Sequence, residues 1–282
     1  MTGFEKRLCI QAAALAVMAS IAVSVDPATA QPASPASAHS IAVDAELVLA
    51  ADISLSMLPD ELAIQRQGYA SALADPRVIE AILAGPNRRV ALAFVEWAGV
   101  QEQNIVIPWT ILDSAAAVEN FARRLGAGLA PLSHRTSVSA ALDFAAAMFE
   151  GNGVESPVRI IDISGDGTNN QGGPVVISRD AAVAKGITIN GLVLLSDDGT
   201  ISAFEIPDLD VYYSNCVIGG LGAFSVLVDS WEEFADAVRA KLLREIAGID
   251  SNQRPTESRL LHRAAARATG YDCLIGEKLW NR

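Results

Sequence analysis

Leu47-Val-Leu-Ala-Ala-Asp52-Ile-Ser54-Leu-Ser56 is an apolar run that stops on one carboxylate and two hydroxyls spaced two residues apart. It is too short for a helix and breaks abruptly into polar residues, so it reads as a strand buried in a parallel sheet. Asp52, Ser54 and Ser56 then fall in the turn at the carboxyl end of that strand, where open α/β sheets bind ligands. Hard oxygen donors of this kind suit Mg²⁺, Mn²⁺ or Ca²⁺ better than a soft metal. Taken alone, the three residues serve equally well as helix caps and turn formers.

Outward from this run, strand and helix patterns alternate. Pro59-Asp60-Glu61 opens a helix expected to run to Leu83, and Gly85-Pro86-Asn87 breaks it. Arg89–Glu96 is a second strand. Gln103–Trp109, carrying Pro108, suits an antiparallel edge strand joined to it by a hairpin. Helices are expected over 113–125, 137–149, 175–185, 201–209 and 231–246, with strands over 158–164, 188–194 and 224–228. Such alternation argues for a mostly parallel sheet covered by helices on both faces.

The ends read differently. Lys6 and Arg7 precede an apolar, alanine-rich segment, and Ala28-Thr29-Ala30 offers small residues for cleavage, the layout of a secretory signal peptide over residues 1–30. The expected location is periplasmic or secreted, with membrane contact only if this segment is retained as an anchor. Residues 31–44 form a Pro/Ala/Ser-rich leader, 45–247 the domain, and 248–282 a more polar tail with a short helix expected around 258–269. The net charge is −12, and it stays so when Glu5, Lys6, Arg7 and Asp26 leave with the first thirty residues. An acidic chain of this kind repels nucleic acid and favours divalent cations or basic partners. Cleavage also removes Cys9, leaving Cys216 and Cys273 as an even pair and a candidate disulfide in an oxidising compartment.

Two further segments join the first. Ser133-His134-Arg135-Thr136-Ser137 sits just before a helix, and Gly165-Asp166-Gly167 just after a strand. With Asp52-x-Ser54-x-Ser56 they reproduce the order and approximate spacing of a metal-ion-dependent adhesion site (MIDAS). Over about residues 45–245 the chain resembles the von Willebrand factor A (vWA) domain, and in particular an uncharacterised exported bacterial branch of it. The resemblance implies a Rossmann-like three-layer fold with a six-stranded, mostly parallel sheet and one antiparallel edge strand. It also implies that Ser54 and Ser56 bind the cation directly, that Thr136 does so directly or through water, and that Asp52 and Asp166 supply charge. An open coordination position would accept an acidic side chain from a protein partner. Gly165 stands where many members carry threonine.

Asp162, His134, Arg135 and Asn169 are placed around this site, Asp162 as an outer partner of the ligands or as a structural residue, and the others on its rim. A buried Asp162 must be hydrogen-bonded or paired. Taken singly, Thr136 and Ser137 read as helix caps, and Asn169 and Asn170 as turn formers. The alternative function is a Mg²⁺- or Mn²⁺-dependent phosphohydrolase built on the same carboxylates. It lacks an identified nucleophile, and no phosphate-binding glycine loop or serine elbow accompanies it. The expectation is therefore a non-enzymatic interaction module.

Overall fold

A computed structural model describes residues 40–128, 133, 135–195, 206–247, 261–263 and 270–281. The expectations for the signal peptide, for His134 and for residues 201–205 lie outside the described residues. So do those for most of the leader and most of the 258–269 helix.

In chain order the elements are β1 (Ile41–Ala42), β2 (Glu46–Asp52), α1 (Pro59–Leu73), α2 (Pro76–Ala84), β3 (Val90–Trp97) and β4 (Gln103–Leu112). There follow α3 (Ala115–Gly126), α4 (Val138–Ala147), β5 (Val154–Glu155), β6 (Arg159–Gly165), α5 (Val175–Ala184) and β7 (Ile187–Leu194). The chain closes with α6 (Leu209–Tyr212), a π-helical turn (Tyr213–Val217), β8 (Phe224–Val228), α7 (Phe234–Ala247), β9 (Leu261–Arg263) and α8 (Ile275–Trp280).

The main sheet runs β4-β3-β2-β6-β7-β8-β9. Strands β3, β2, β6, β7 and β8 are parallel, with β4 antiparallel at one edge as the hairpin predicts. The six expected strands are present, and a short seventh, β9, pairs antiparallel with β8. Within the tail helix expected over 258–269, the described residues Leu261–Arg263 thus form a strand instead.

Every residue of β2 is buried, because it is an interior strand and both of its faces are covered. Leu47, Leu49 and Ala51 enter the core shared with α1, α2, α3 and α7. Val48 and Ala50 enter the core on the α4 and α5 side, where Tyr212, Tyr213 and Cys216 also pack. Gly68 lets α1 lie against Phe234 of α7; a Cβ at that position would collide with the ring.

Two boundaries differ from the sequence reading. The single helix expected over 59–83 is two, because Pro76 cannot continue α1 and disfavours helical backbone at Asp75. Asp75 instead caps α2, accepting from the Arg77 N–H at 2.9 Å. The leader expected over 31–44 ends sooner: Ile41–Ala42 pair with Val154–Glu155, and Val43 and Asp44 are buried. Asp44 accepts from the Asn87 backbone N–H at 2.8 Å. Among the described residues, no helix is long and apolar enough to cross a membrane.

Candidate metal centre

Strands β2 and β6 are neighbours in register, Ala51 beside Ser164, so their carboxyl ends bring Asp52 and Asp166 to one place. The turn after β2 closes on itself. The Ser54 N–H donates to Asp52 Oδ1 at 2.7 Å, the Ser54 and Ser56 hydroxyls lie 3.0 Å apart, and the Ser56 hydroxyl donates to Asp166 Oδ1 at 2.9 Å. Thr136 sits beside residue 167, where a Cβ would lie 3.9 Å from its hydroxyl. Four of the five candidate ligands are therefore linked by hydrogen bonds, and the fifth adjoins them.

Each ligand-bearing loop is anchored from behind. Gln65 of α1 donates to the Asp52 carbonyl at 2.9 Å and accepts from the Ser164 hydroxyl at 3.3 Å, joining the ends of β2 and β6. The loop before α4 is stitched to the β2 turn by Ser133 N–H to the Ile53 carbonyl, and to β3 by Ser137 N–H to the Ala98 carbonyl. Thr136 exchanges bonds with Asn170, its N–H donating to Asn170 Oδ1 at 3.1 Å and its carbonyl accepting the Asn170 N–H at 2.9 Å. The Ser137 hydroxyl caps α4 by accepting from the Ala140 N–H.

The electrostatics are severe. Asp52 is fully buried, and its Oδ2 has no hydrogen-bond partner. Burial pushes its carboxyl well above the ordinary value, and the neighbouring Asp166 charge pushes it further; the bonds from Ser54 and from the Asp166 backbone act the other way. No basic side chain among the described residues offsets this charge. Nor do three His, Cys, Asp or Glu groups gather among the described residues into an all-acidic or soft-metal cage. The donor set is instead two carboxylates and three hydroxyls, which is compatible with a hard cation that keeps part of its water shell.

Two residues placed near the site have other surroundings. Asp162 lies on the opposite face of β6, beside Leu49, and pairs with Lys241 of α7 at 2.6 Å. Its alternate position along the strand carries it away from Asp52, so of its two expected roles it has the structural one. Asn169 is buried rather than on the rim. Its Oδ1 accepts from the Ser139 N–H at 3.0 Å, and its Nδ2 donates to the Gly173 carbonyl and to Glu277 Oε1 of α8. Arg135 is exposed, with φ +81°, and its guanidinium lies 3.9 Å over the Trp280 ring.

Residues 42–250 match the family described as Protein of unknown function (DUF1194). The chain belongs to the DUF1194 family. No curated protein matches it. Among solved structures, the DUF1194 chain is similar to proximal thread matrix protein 1 from the mussel byssus, at 16% identity and TM-score 0.54. That alignment covers 74% of this chain and 49% of the mussel protein. A further structure of the mussel protein, described as having a zinc occupied MIDAS motif, aligns at 15% identity and TM-score 0.51 over 73% of this chain and 48% of that one. The pilus adhesin SpaC from Lactobacillus rhamnosus GG, in an open conformation, aligns at 15% identity and TM-score 0.51, covering 75% of this chain and 30% of SpaC. The DUF1194 chain thus spans half or less of these proteins' length, and it shares their vWA-type fold.

Three features of the DUF1194 site escape sequence reasoning. Gln65 has no signal beyond its place on a helix. Tyr213 enters from a π-helical turn, closed by the Ile218 N–H bonding the Tyr213 carbonyl, and packs against Gly165. Helix α8 lies on the loop after β6, its Gly276 directly against Asn169 and Thr168, and Cys273 just before it is bonded to Cys216 of the π turn. The pairing of Cys216 with Cys273 is signalled once Cys9 is set aside with the first thirty residues; nothing signals that α8 reaches Asn169 and Arg135.

Proposed function

We propose that Asp52, Ser54, Ser56, Thr136 and Asp166 hold one divalent cation, Mg²⁺ or else Mn²⁺ or Ca²⁺, and that this protein is a non-enzymatic protein-interaction module. The observation that carries the reading is Asp52: a fully buried carboxylate whose Oδ2 lacks a hydrogen-bond partner, beside a second carboxylate, and with no basic group among the described residues to offset it. Such a group is costly in its charged form, and either a proton or a cation from outside the chain relieves the cost. The zinc occupied MIDAS motif of the mussel relative, and the adhesin description of SpaC, support the same reading.

The cation supplies a positive centre with a coordination position open to an acidic oxygen of a partner. The chain's own groups do the rest. The Ser54 N–H fixes one Asp52 oxygen, the Ser56 hydroxyl bridges the turn after β2 to Asp166, and the Asn170 exchange sets the height of Thr136. Leu55 and Leu58, exposed on either side of Ser56, give the partner an apolar rim. The protein is exported to the periplasm or beyond, with residues 1–30 as the signal peptide; the even pair Cys216 and Cys273 accords with an oxidising compartment.

Calorimetric titration with Mg²⁺ and Mn²⁺ tests the site. Binding is expected in the natural protein and absent in Asp52→Ala and Asp166→Ala, with circular dichroism unchanged. Unaltered titrations in both variants would sink the assignment. Affinity capture from an envelope fraction with and without chelator tests the partner, which should be lost with the cation.

A further inference from the structure

Two buried oxygens without hydrogen-bond partners face one another across Gly165: Asp52 Oδ2 and the Tyr213 hydroxyl. A Cβ built on Gly165 would fall 2.6 Å from that hydroxyl and 3.0 Å from Asp52 Oδ2, with Trp97 Cζ2 at 3.3 Å closing the third side. Both oxygens therefore converge on the point where any larger side chain at 165 would begin. Glycine is required here by this close approach rather than by its backbone angle, since Gly165 is not among the residues with positive φ.

Tyr213 is delivered to this point deliberately. It is the first residue of the π turn, and turns of that kind carry a bonding cost and cluster at functional sites. Its ring is fully buried, packed edge-on to Tyr212 at 6.0 Å, so the hydroxyl has little freedom to turn elsewhere. A buried phenol hydroxyl ordinarily finds an acceptor. The acceptor it faces is the one Asp52 oxygen that the Ser54 N–H leaves unused.

We propose that Tyr213 is a positioning residue for the cation site: its hydroxyl, held beside Asp52 Oδ2 in the space kept open by Gly165, donates to that oxygen once the cation is bound. The donor fixes the rotation of the Asp52 carboxylate, as outer partners of metal ligands generally do. This inference rests on the cation-binding reading above. It also accounts for the glycine at 165, because a threonine there would occupy the space that the Tyr213 hydroxyl fills.

The test compares the natural protein with Tyr213→Phe and Gly165→Ala, using Mn²⁺ alone as the probe. Tyr213→Phe keeps the ring and removes only the hydroxyl. It is expected to weaken Mn²⁺ binding by about tenfold, within the range seen when outer partners of metal ligands are removed, while thermal unfolding without metal is unchanged or slightly raised. Mn²⁺ should also perturb the near-ultraviolet tyrosine spectrum of the natural protein, a change lost in Tyr213→Phe; a merely structural tyrosine would give no such signal. Gly165→Ala, which crowds both oxygens, is expected to weaken binding at least as much. Natural affinity in Tyr213→Phe, or the same spectral change without that hydroxyl, would overturn the proposal and leave the cation site standing. Absence of Mn²⁺ binding in the natural protein would overturn both.

Discussion

The sheet carries a buried acidic cluster on each face, and the two are neutralised in different ways. On the α7 side, Asp162 and Glu245 share Lys241, whose Nζ lies 2.6 Å from each carboxylate. Asn190 adds a bond to Glu245 at 2.8 Å. On the other side, Asp52 and Asp166 have hydroxyls and backbone N–H groups around them, and no Lys or Arg among the described residues pairs with Asp52. The chain brings its own cation to the first cluster; among the described residues it brings none to Asp52. One cluster holds the fold together; the other, on the reading proposed above, is completed by a cation.

The contrast is broken most severely at Lys241. Lys241→Ala leaves two carboxylates buried without a counter-charge, and denaturant unfolding should show a loss of about 3–5 kcal/mol. A triple change of Lys241→Met, Asp162→Asn and Glu245→Gln should recover most of that loss. Next in size is the effect of the missing cation. Mn²⁺ at a hundred times its Kd should stabilise the natural protein by about 2.7 kcal/mol and Asp52→Ala not at all. Without metal the sign at Asp52 reverses: Asp52→Asn, which removes an uncompensated buried charge, should stabilise by about 1 kcal/mol rather than destabilise. A loss of stability in metal-free Asp52→Asn would mean that the chain already neutralises this site.

The smallest effect sharpens the comparison through pH. Burial, reinforced by Asp162, raises the Glu245 carboxyl from 4.5 to about 7 despite Lys241. The folded form therefore binds a proton that the unfolded chain has released between those values, so this contribution is fully present below pH 4.5 and is lost as pH rises through about 7. The melting temperature should fall across that interval by about 2–4 °C for each kcal/mol lost. Glu245→Gln should flatten the decline.

The cation side was far more legible in sequence than the lysine side. Asp52, Ser54 and Ser56 announce themselves by ending an apolar strand, and Ser137 and Gly165-Asp166-Gly167 by marking where a helix begins and a strand stops. Those are local signals. Lys241 gives none: it is one cation on the amphipathic helix α7, and only the crossing of α7 over β6 brings it to Asp162. The same holds for Tyr213, whose approach to Gly165 depends on a π turn that no periodicity predicts. The α1–α2 break is a local signal too, carried by Asp75-Pro76. Asn169 was read as a turn former because Asn favours turns, whereas burial converts all of its side-chain polar groups into links between the α4 start, its own loop and α8.

The place of β2 in the sheet has a mechanical consequence. Asp52 ends a strand bonded along its length to β3 on one side and β6 on the other, both parallel to it. A partner pulling outward at Asp52 would draw β2 along its own axis, loading two ladders of hydrogen bonds in shear. Bonds loaded that way yield together, whereas an edge strand such as β4 would peel one bond at a time. Tension applied at the carboxyl end of β2 is thus spread through the middle of the sheet.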